Sequence, residues 1–123
     1  MGAPPRSILE VGANIGLNLR ALTRLSGADF LALEPNAVAR ERLVQDGVVP
    51  AANVFDGLAS AIPLPDASVD LAFTSGVLIH IHPNDLLASC REIHRVARRY
   101  VVCIEYMVRN GLELQKDFAG VLA

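Results

Sequence analysis

The order of apolar segments constrains this chain most. Short apolar runs alternate with stretches of helical periodicity from Ser7 to Tyr106. A buried strand reads as a short continuous apolar run, and an amphipathic helix repeats its apolar residues every three or four positions. Strand-helix-strand-helix order of this kind is the pattern of a parallel sheet covered by helices.

Ser7 to Val11 reads as the first strand. Ile15 to Ser26 reads as a helix with Ile15, Leu19, Leu22 and Leu25 on one face and Gly27 at its stop. Asp29 to Glu34 is a second strand; Asn36 then caps a helix through Asp46, with Leu43 and Val44 inward and Gly47 ending it. Ala52 to Phe55 gives a third strand. Ile62 to Ser68 is a loop, because Pro63 and Pro65 exclude regular helix and central strand. Val69 to Thr74 is the fourth strand. Pro83 or Asn84 opens a helix to about Arg98, with Leu86, Leu87, Cys90, Ile93 and Ala97 on one face. Arg95, Arg98 and Arg99 fall in its last turn, where cations complement the helix dipole. Tyr100 to Tyr106 is the fifth strand, and residues 107–123 add none.

With 123 residues, 52% of them hydrophobic, the chain is expected to be a single domain over 1–123 that needs neither disulfides nor metal to hold its core. A net charge of −2 excludes the basic excess of a general nucleic-acid binder. Cys90 and Cys103 both fall in apolar segments, as buried free thiols of a reducing compartment would. The start MGAPPRS has no apolar run after its arginine, and no stretch reaches the roughly 20 apolar residues of a spanning helix. The expectation is a soluble cytoplasmic protein with no membrane partner.

The strongest local signal is Glu10-Val11-Gly12-Ala13-Asn14-Ile15-Gly16, between the first strand and the first helix. Glycines there allow a tight turn and close approach of a ligand, and the helix start offers unpaired N–H groups. A dinucleotide fingerprint would need glycine at Asn14 and a small residue at Leu17. Glu10 would also repel a pyrophosphate, whereas it can accept a hydrogen bond from an ammonium group. A ligand with an amino-acid-like end suits this loop better than a nicotinamide dinucleotide.

Glu34 ends the second strand about 20 residues after the loop, where a carboxylate can take both hydroxyls of a ribose. Asp56-Gly57 follows the third strand, so Asp56 can accept from an exocyclic adenine amine while Gly57 leaves room for the ring. Ser75-Gly76 follows the fourth. These residues converge on the carboxyl edge of the sheet, the usual ligand crevice of open α/β folds. Individually, Gly12 and Gly16 also serve as ordinary turn glycines, Asn36 as a helix cap and Asp56 as the start of a turn.

The ordered set EVGANIG, LALEPN, FDG and VDLAFTSGVLIHIHP resembles the class I S-adenosylmethionine-dependent methyltransferases. More narrowly, EVGANIGLN, SGVLIHIHP, RYVVCIEY and KDFAG resemble the methylase family associated with pseudaminic acid biosynthesis. The resemblance implies a Rossmann-like α/β fold, an open and mainly parallel sheet of strand order 3-2-1-4-5 with helices on both faces. Strands six and seven of that fold have no counterpart in the pattern. A minimal domain, one completed by dimerisation and one continued by further segments all fit that departure.

The resemblance also implies S-adenosylmethionine as cofactor and S-adenosylhomocysteine as product. Glu10, Gly12, Ala13, Asn14 and Gly16 would surround its methionine part, and Glu34, with Pro35 and Asn36, its ribose. Asp56, Gly57 and Leu58 would lie around adenine. Ser75 and Gly76 would complete the cofactor contacts and, with His80, border the methyl-transfer cavity. The implied acceptor is a small molecule, such as a nonulosonic acid or a sugar-nucleotide-derived intermediate.

His80 is the candidate general base, since an imidazole with an ordinary pKa of about 6.5 exchanges protons at neutral pH; a histidine bonded to loop backbone is the alternative. His80 and His82, with Cys90 and His94 further on, do not complete the three or four ligands that zinc requires, so no metal is expected. The four arginines from Arg91 to Arg99 read as a solvated helix face. Two other functions stay open: a non-catalytic cofactor-binding or partner-binding module, and a nicotinamide-dependent oxidoreductase. The exposed edge of the fifth strand points to a homodimer; a sedimentation mass that stays monomeric at all concentrations would exclude it.

Overall fold

The computed structural model describes residues 2–106; the KDFAG stretch at 116–120 and the rest of 107–123 lie outside them. The elements are β1 (Ser7–Val11), α1 (Leu17–Leu25), β2 (Asp29–Leu33), α2 (Ala37–Gln45), β3 (Val54–Phe55), β4 (Val69–Ser75), α3 (Pro83–Val96) and β5 (Ala97–Ile104). The strands form one parallel sheet in the order β3-β2-β1-β4-β5. This is the expected Rossmann-like order.

Side chains alternate across a strand, so each apolar strand feeds two cores. Leu9 and Val11 of β1, Leu33 of β2 and Ala72 of β4 pack with Leu86, Cys90, Ile93 and Val96 of α3 on one face. Ile8, Phe30, Ala32 and Phe73 pack with Leu19 of α1 and Leu43 of α2 on the other. The pairing of β4 with β5 slips by one where β5 advances three positions, from Ala97 to Tyr100, against two on β4, from Val69 to Leu71, so the extra residue bulges out of β5.

Several expected inward residues turn outward. Leu25 is 82% exposed: at about 100° per residue it lies roughly 120° around the helix from the buried Leu19. Val44 and Leu87 sit one step beyond the buried Leu43 and Leu86, and each is exposed for the same reason. α1 starts at Leu17 rather than Ile15, because Gly16 before it is left-handed at φ 81°. β3 is shorter than expected, since Ala51–Asn53 forms a 3-10 turn.

The largest correction lies at the end of α3. The helix stops at Val96 and β5 begins at Ala97 with no linker, the Ala97 N–H still donating to the Ile93 carbonyl. Ala97 is therefore a strand residue paired with Val69. Arg98 and Arg99 belong to β5 and not to the helix's last turn. Strand propensity in the YVVCI run decides this boundary, with neither glycine nor proline marking it.

The arginines are not one solvated face either. Arg98 pairs with the buried carboxylate of Asp70, and the Arg99 guanidinium lies 5.1 Å from the centroid of the Tyr100 ring. Arg95 donates to the carbonyls of Ile62 (2.9 Å) and Leu64 (2.8 Å) and to Asp66 and Glu92. Glu92 in turn accepts from the Ile62 N–H at 3.0 Å. Together they bind the proline-rich loop to α3, satisfying backbone groups that this irregular segment cannot satisfy itself.

Gly16 is both left-handed and close-packed: a Cβ there would meet the fully buried Leu43 side chain at 2.5 Å. Gly47 is also left-handed, at φ 67°, but faces open space. Gly47→Ala is thus expected to cost only the backbone term of about 1–2 kcal/mol. Gly16→Ala should cost that plus a forced shift of Leu43, about 2–4 kcal/mol in all, measured by urea denaturation.

Candidate functional site

The carboxyl ends of β1, β2 and β4 meet around a cavity of about 600 Å³. Its walls include Glu10, Gly12, Ala13, Asn14, Glu34, Pro35, Gly57, Leu58, Ser75, Gly76 and His80. Adjacent parallel strands all end on this side, so the connections that follow them must converge here.

The loop from Gly12 to Gly16 places Gly12, Asn14 and Gly16 at positive φ of 76°, 53° and 81°. Asparagine tolerates the left-handed region better than other residues with a Cβ, which accounts for Asn14 where a dinucleotide loop has glycine. The N–H groups of Gly12 and Ala13 donate to the Leu33 carbonyl at 2.8 and 3.1 Å, folding the loop back over β2.

Glu34, 8% exposed, ties two segments together. Its Oε1 accepts from the Asn14 N–H at 2.9 Å and its Oε2 from the Asn36 N–H at 2.8 Å. Each oxygen keeps a further lone pair for a ligand.

Glu10 is the electrostatic centre of the site. It is 1% exposed, its Oε2 accepts from Asn18 Nδ2 at 3.0 Å, and its Oε1 has no hydrogen-bond partner among the described residues. Burial pushes its pKa up to about 7, the Asn18 hydrogen bond opposes this, and repulsion from Glu34 adds to it. A buried carboxylate with an unsatisfied oxygen is costly unless a cationic donor reaches it.

Gly16, Asn36 and Asp56 do not line the cavity. Gly16 packs under Leu43. Asn36 caps α2, its Oδ1 accepting from the Ala39 N–H at 3.1 Å. Asp56 turns away and pairs with Arg40 at 3.0 Å, and the same guanidinium nitrogen donates to the carbonyls of Glu34 and Pro35.

His80 ends a 3-10 turn, Leu78–His80, and borders the cavity, while its own N–H donates to the Val77 carbonyl at 3.0 Å. His82 instead caps α3, its Nδ1 accepting from the Asn84 N–H at 3.1 Å. Among the described residues no group of three or more His, Cys, Asp or Glu is placed to hold a metal ion. Cys90 and Cys103 are free thiols, the first buried and the second half-buried, and burial raises the pKa of both. No described helix is long and apolar enough to cross a membrane.

Asn18, Asp85 and Ser89 also line the cavity and were not anticipated. Asn18 follows Gly16 by two positions, and a polar side chain in the first turn beside a buried acid was its available signal. Asp85 and Ser89 share one face of α3 at i and i+4, and the Ser89 hydroxyl donates to the Asp85 carbonyl at 2.7 Å.

The methyltransferase domain family matches residues 9–104, which contain the whole site. This chain belongs to that family. The methyltransferase domain superposes on an S-adenosylmethionine-dependent methyltransferase from Aquifex aeolicus with a TM-score of 0.74 and 20% identity, covering 94% of this chain and 71% of that one. It is similar to a candidate methyltransferase from an antibiotic biosynthesis pathway of Anabaena variabilis, with a TM-score of 0.72 and 28% identity over 89% of this chain and 42% of the other. A third neighbour is a methyltransferase dependent on S-adenosylmethionine from Thermotoga maritima, with a TM-score of 0.65, 23% identity, and coverage of 83% and 45%. No curated protein matches the sequence. The methyltransferase domain spans less than half the length of the Anabaena and Thermotoga chains.

The Aquifex and Thermotoga neighbours are dependent on S-adenosylmethionine. The residues present fit it: the unpartnered Glu10 Oε1 suits an ammonium group, and Glu34 can accept from vicinal hydroxyls. Asn18 steadies Glu10 from α1.

Proposed function

We propose that this chain is the cofactor-binding part of a methyltransferase that modifies a small molecule. The observation that supports this best is the pairing in one cavity of Glu10, buried with an unsatisfied oxygen, and Glu34, held rigid by two backbone donors. They match the cationic amine and the ribose of S-adenosylmethionine. Resemblance to the methylases of pseudaminic acid biosynthesis supports a nonulosonic acid or a sugar-nucleotide-derived intermediate as acceptor, and a second copy of the chain is the proposed partner along β5.

The cofactor supplies an activated methyl on its sulfonium. The protein's contribution is then chiefly alignment of the acceptor. Glu10 and Glu34 orient one side of the cavity, and Ser75, Gly76 and His80 form another wall. The His80 imidazole takes the proton from a hydroxyl acceptor and is dispensable for an unprotonated amine.

Isothermal titration with S-adenosylmethionine and S-adenosylhomocysteine tests the reading. Micromolar binding of both is expected, with none of NADH. A folded sample that binds neither overturns it. Acceptor-dependent release of S-adenosylhomocysteine separates an enzyme from a module that only binds.

A further inference from the structure

Glu105 lies just past β5, outside the cavity and outside every role discussed above, yet its carboxylate is spent on the cavity's wall. Oε2 accepts from the Thr74 hydroxyl at 2.9 Å and from the Val77 N–H at 3.3 Å, and Oε1 accepts from the Ile79 N–H at 3.2 Å. Thr74 is fully buried at the end of β4. Val77 and Ile79 belong to the tight segment that carries Gly76 on one side and His80 on the other. Amides in and around the first turn of a helix have no acceptor within it, so a side chain must provide one. A half-buried carboxylate taking three donors is a strong and directional fixture.

Two neighbours of Glu105 reinforce the same segment. The Gly76 N–H donates to the Ile104 carbonyl at 2.8 Å, and a Cβ on Gly76, which has φ 65°, would come within 2.9 Å of the Tyr106 ring. The segment also reaches the cofactor loop directly: a Cβ on Gly12 would meet the Val77 side chain at 2.6 Å. Val77 therefore closes over the Gly12 backbone on one side while its own N–H is held by Glu105 on the other.

We propose that Glu105 is a positioning residue that clamps the segment from Gly76 to His80 and, through Val77 on Gly12, sets the shape of the cofactor loop. This rests on the cofactor reading above. It assigns to the end of β5 control over both the acceptor-side wall and cofactor affinity, although Glu105 touches neither ligand.

The test is Glu105→Gln in the full chain, read by amide hydrogen exchange and by titration with S-adenosylhomocysteine. The amide in place of one oxygen turns a donor toward donors. Exchange at Val77 and Ile79 should rise at least about tenfold, and affinity should fall about five- to tenfold, the loss expected from one or two hydrogen bonds. Exchange at Leu19 and Leu43, in the opposite core, should stay as in the wild type; a general loss of stability would move all four. Unchanged exchange at Val77 and Ile79 in a folded Glu105→Gln protein overturns the clamp, as does faster exchange with unchanged affinity. If Glu105→Gln does not fold, Thr74→Val removes one donor at constant core volume; Val77 should then exchange a few-fold faster, and an unchanged rate overturns the proposal. A wild type that binds no S-adenosylhomocysteine but shows the local exchange response sinks the cofactor reading and leaves the clamp itself standing.

Discussion

Glu34→Ala should lower affinity for S-adenosylhomocysteine by at least about 100-fold, while the protein remains folded. The carboxylate is expected to receive two ribose hydroxyls, and hydrogen bonds to a charged acceptor contribute about 1.5–3 kcal/mol each. Its removal also frees the N–H groups of Asn14 and Asn36, so the loop that should receive the methionine part loses a support. Both amides lie in exposed residues and can turn to water, which limits the stability loss to about 1–2 kcal/mol. Titration calorimetry and thermal melting on the same samples separate the two effects. Wild-type affinity in the variant would show that Glu34 is only a loop fastener.

Glu10→Gln should produce opposite changes in stability and binding. The Glu10 pKa is 4.5 in the unfolded reference and about 7 in the fold. Folding therefore favours the protonated acid, and native stability falls as pH rises from 4.5 to 7, then stays low. Glutamine is neutral throughout. The variant should match the wild type near pH 4 and exceed it above pH 7, by at most about 3 kcal/mol. At pH 8 that corresponds to a melting temperature higher by roughly 10 °C. Affinity for S-adenosylmethionine should drop at least about 50-fold, because the buried anion that answers its ammonium is gone. Wild-type binding should release protons below pH 7, as the bound cation draws Glu10 into its charged form; titrations in buffers of differing ionisation enthalpy measure this. Equal stability of the two proteins at pH 5 and pH 8 would show that Glu10 is not strained in the free protein.

Much of this was legible in the sequence, for identifiable reasons. The Glu10 to Gly16 loop and Glu34 are local: a strand ends, a helix starts, and the residue types between them limit what can approach. The pairing of Asp56 is not legible there because it depends on Arg40, which also gathers the carbonyls of Glu34 and Pro35. A strand end gives no sign that its carboxylate is already engaged from another element. Arg95 was misread for the same reason, since the loop carbonyls it holds lie some thirty positions earlier. Glu105 gave no signal at all, because its donors come from the far end of β4 and the turn after it.

α3 passes into β5 with no linker, and beyond the bulge β5 pairs with β4 in unbroken register from Tyr100 to Ile104. One end of that continuous piece presents Asp85 and Ser89 to the cavity, and the other end grips the opposite wall. One residue inserted past the bulge, between Tyr100 and Val101, would slide the rest of the strand by one position and turn its side chains to the other face of the sheet. Cys103 would leave the core, and the Glu105 carboxylate would point away from the amides it now holds. The length of β5 from Tyr100 to Glu105 is therefore a setting of the site, fixed to a single residue.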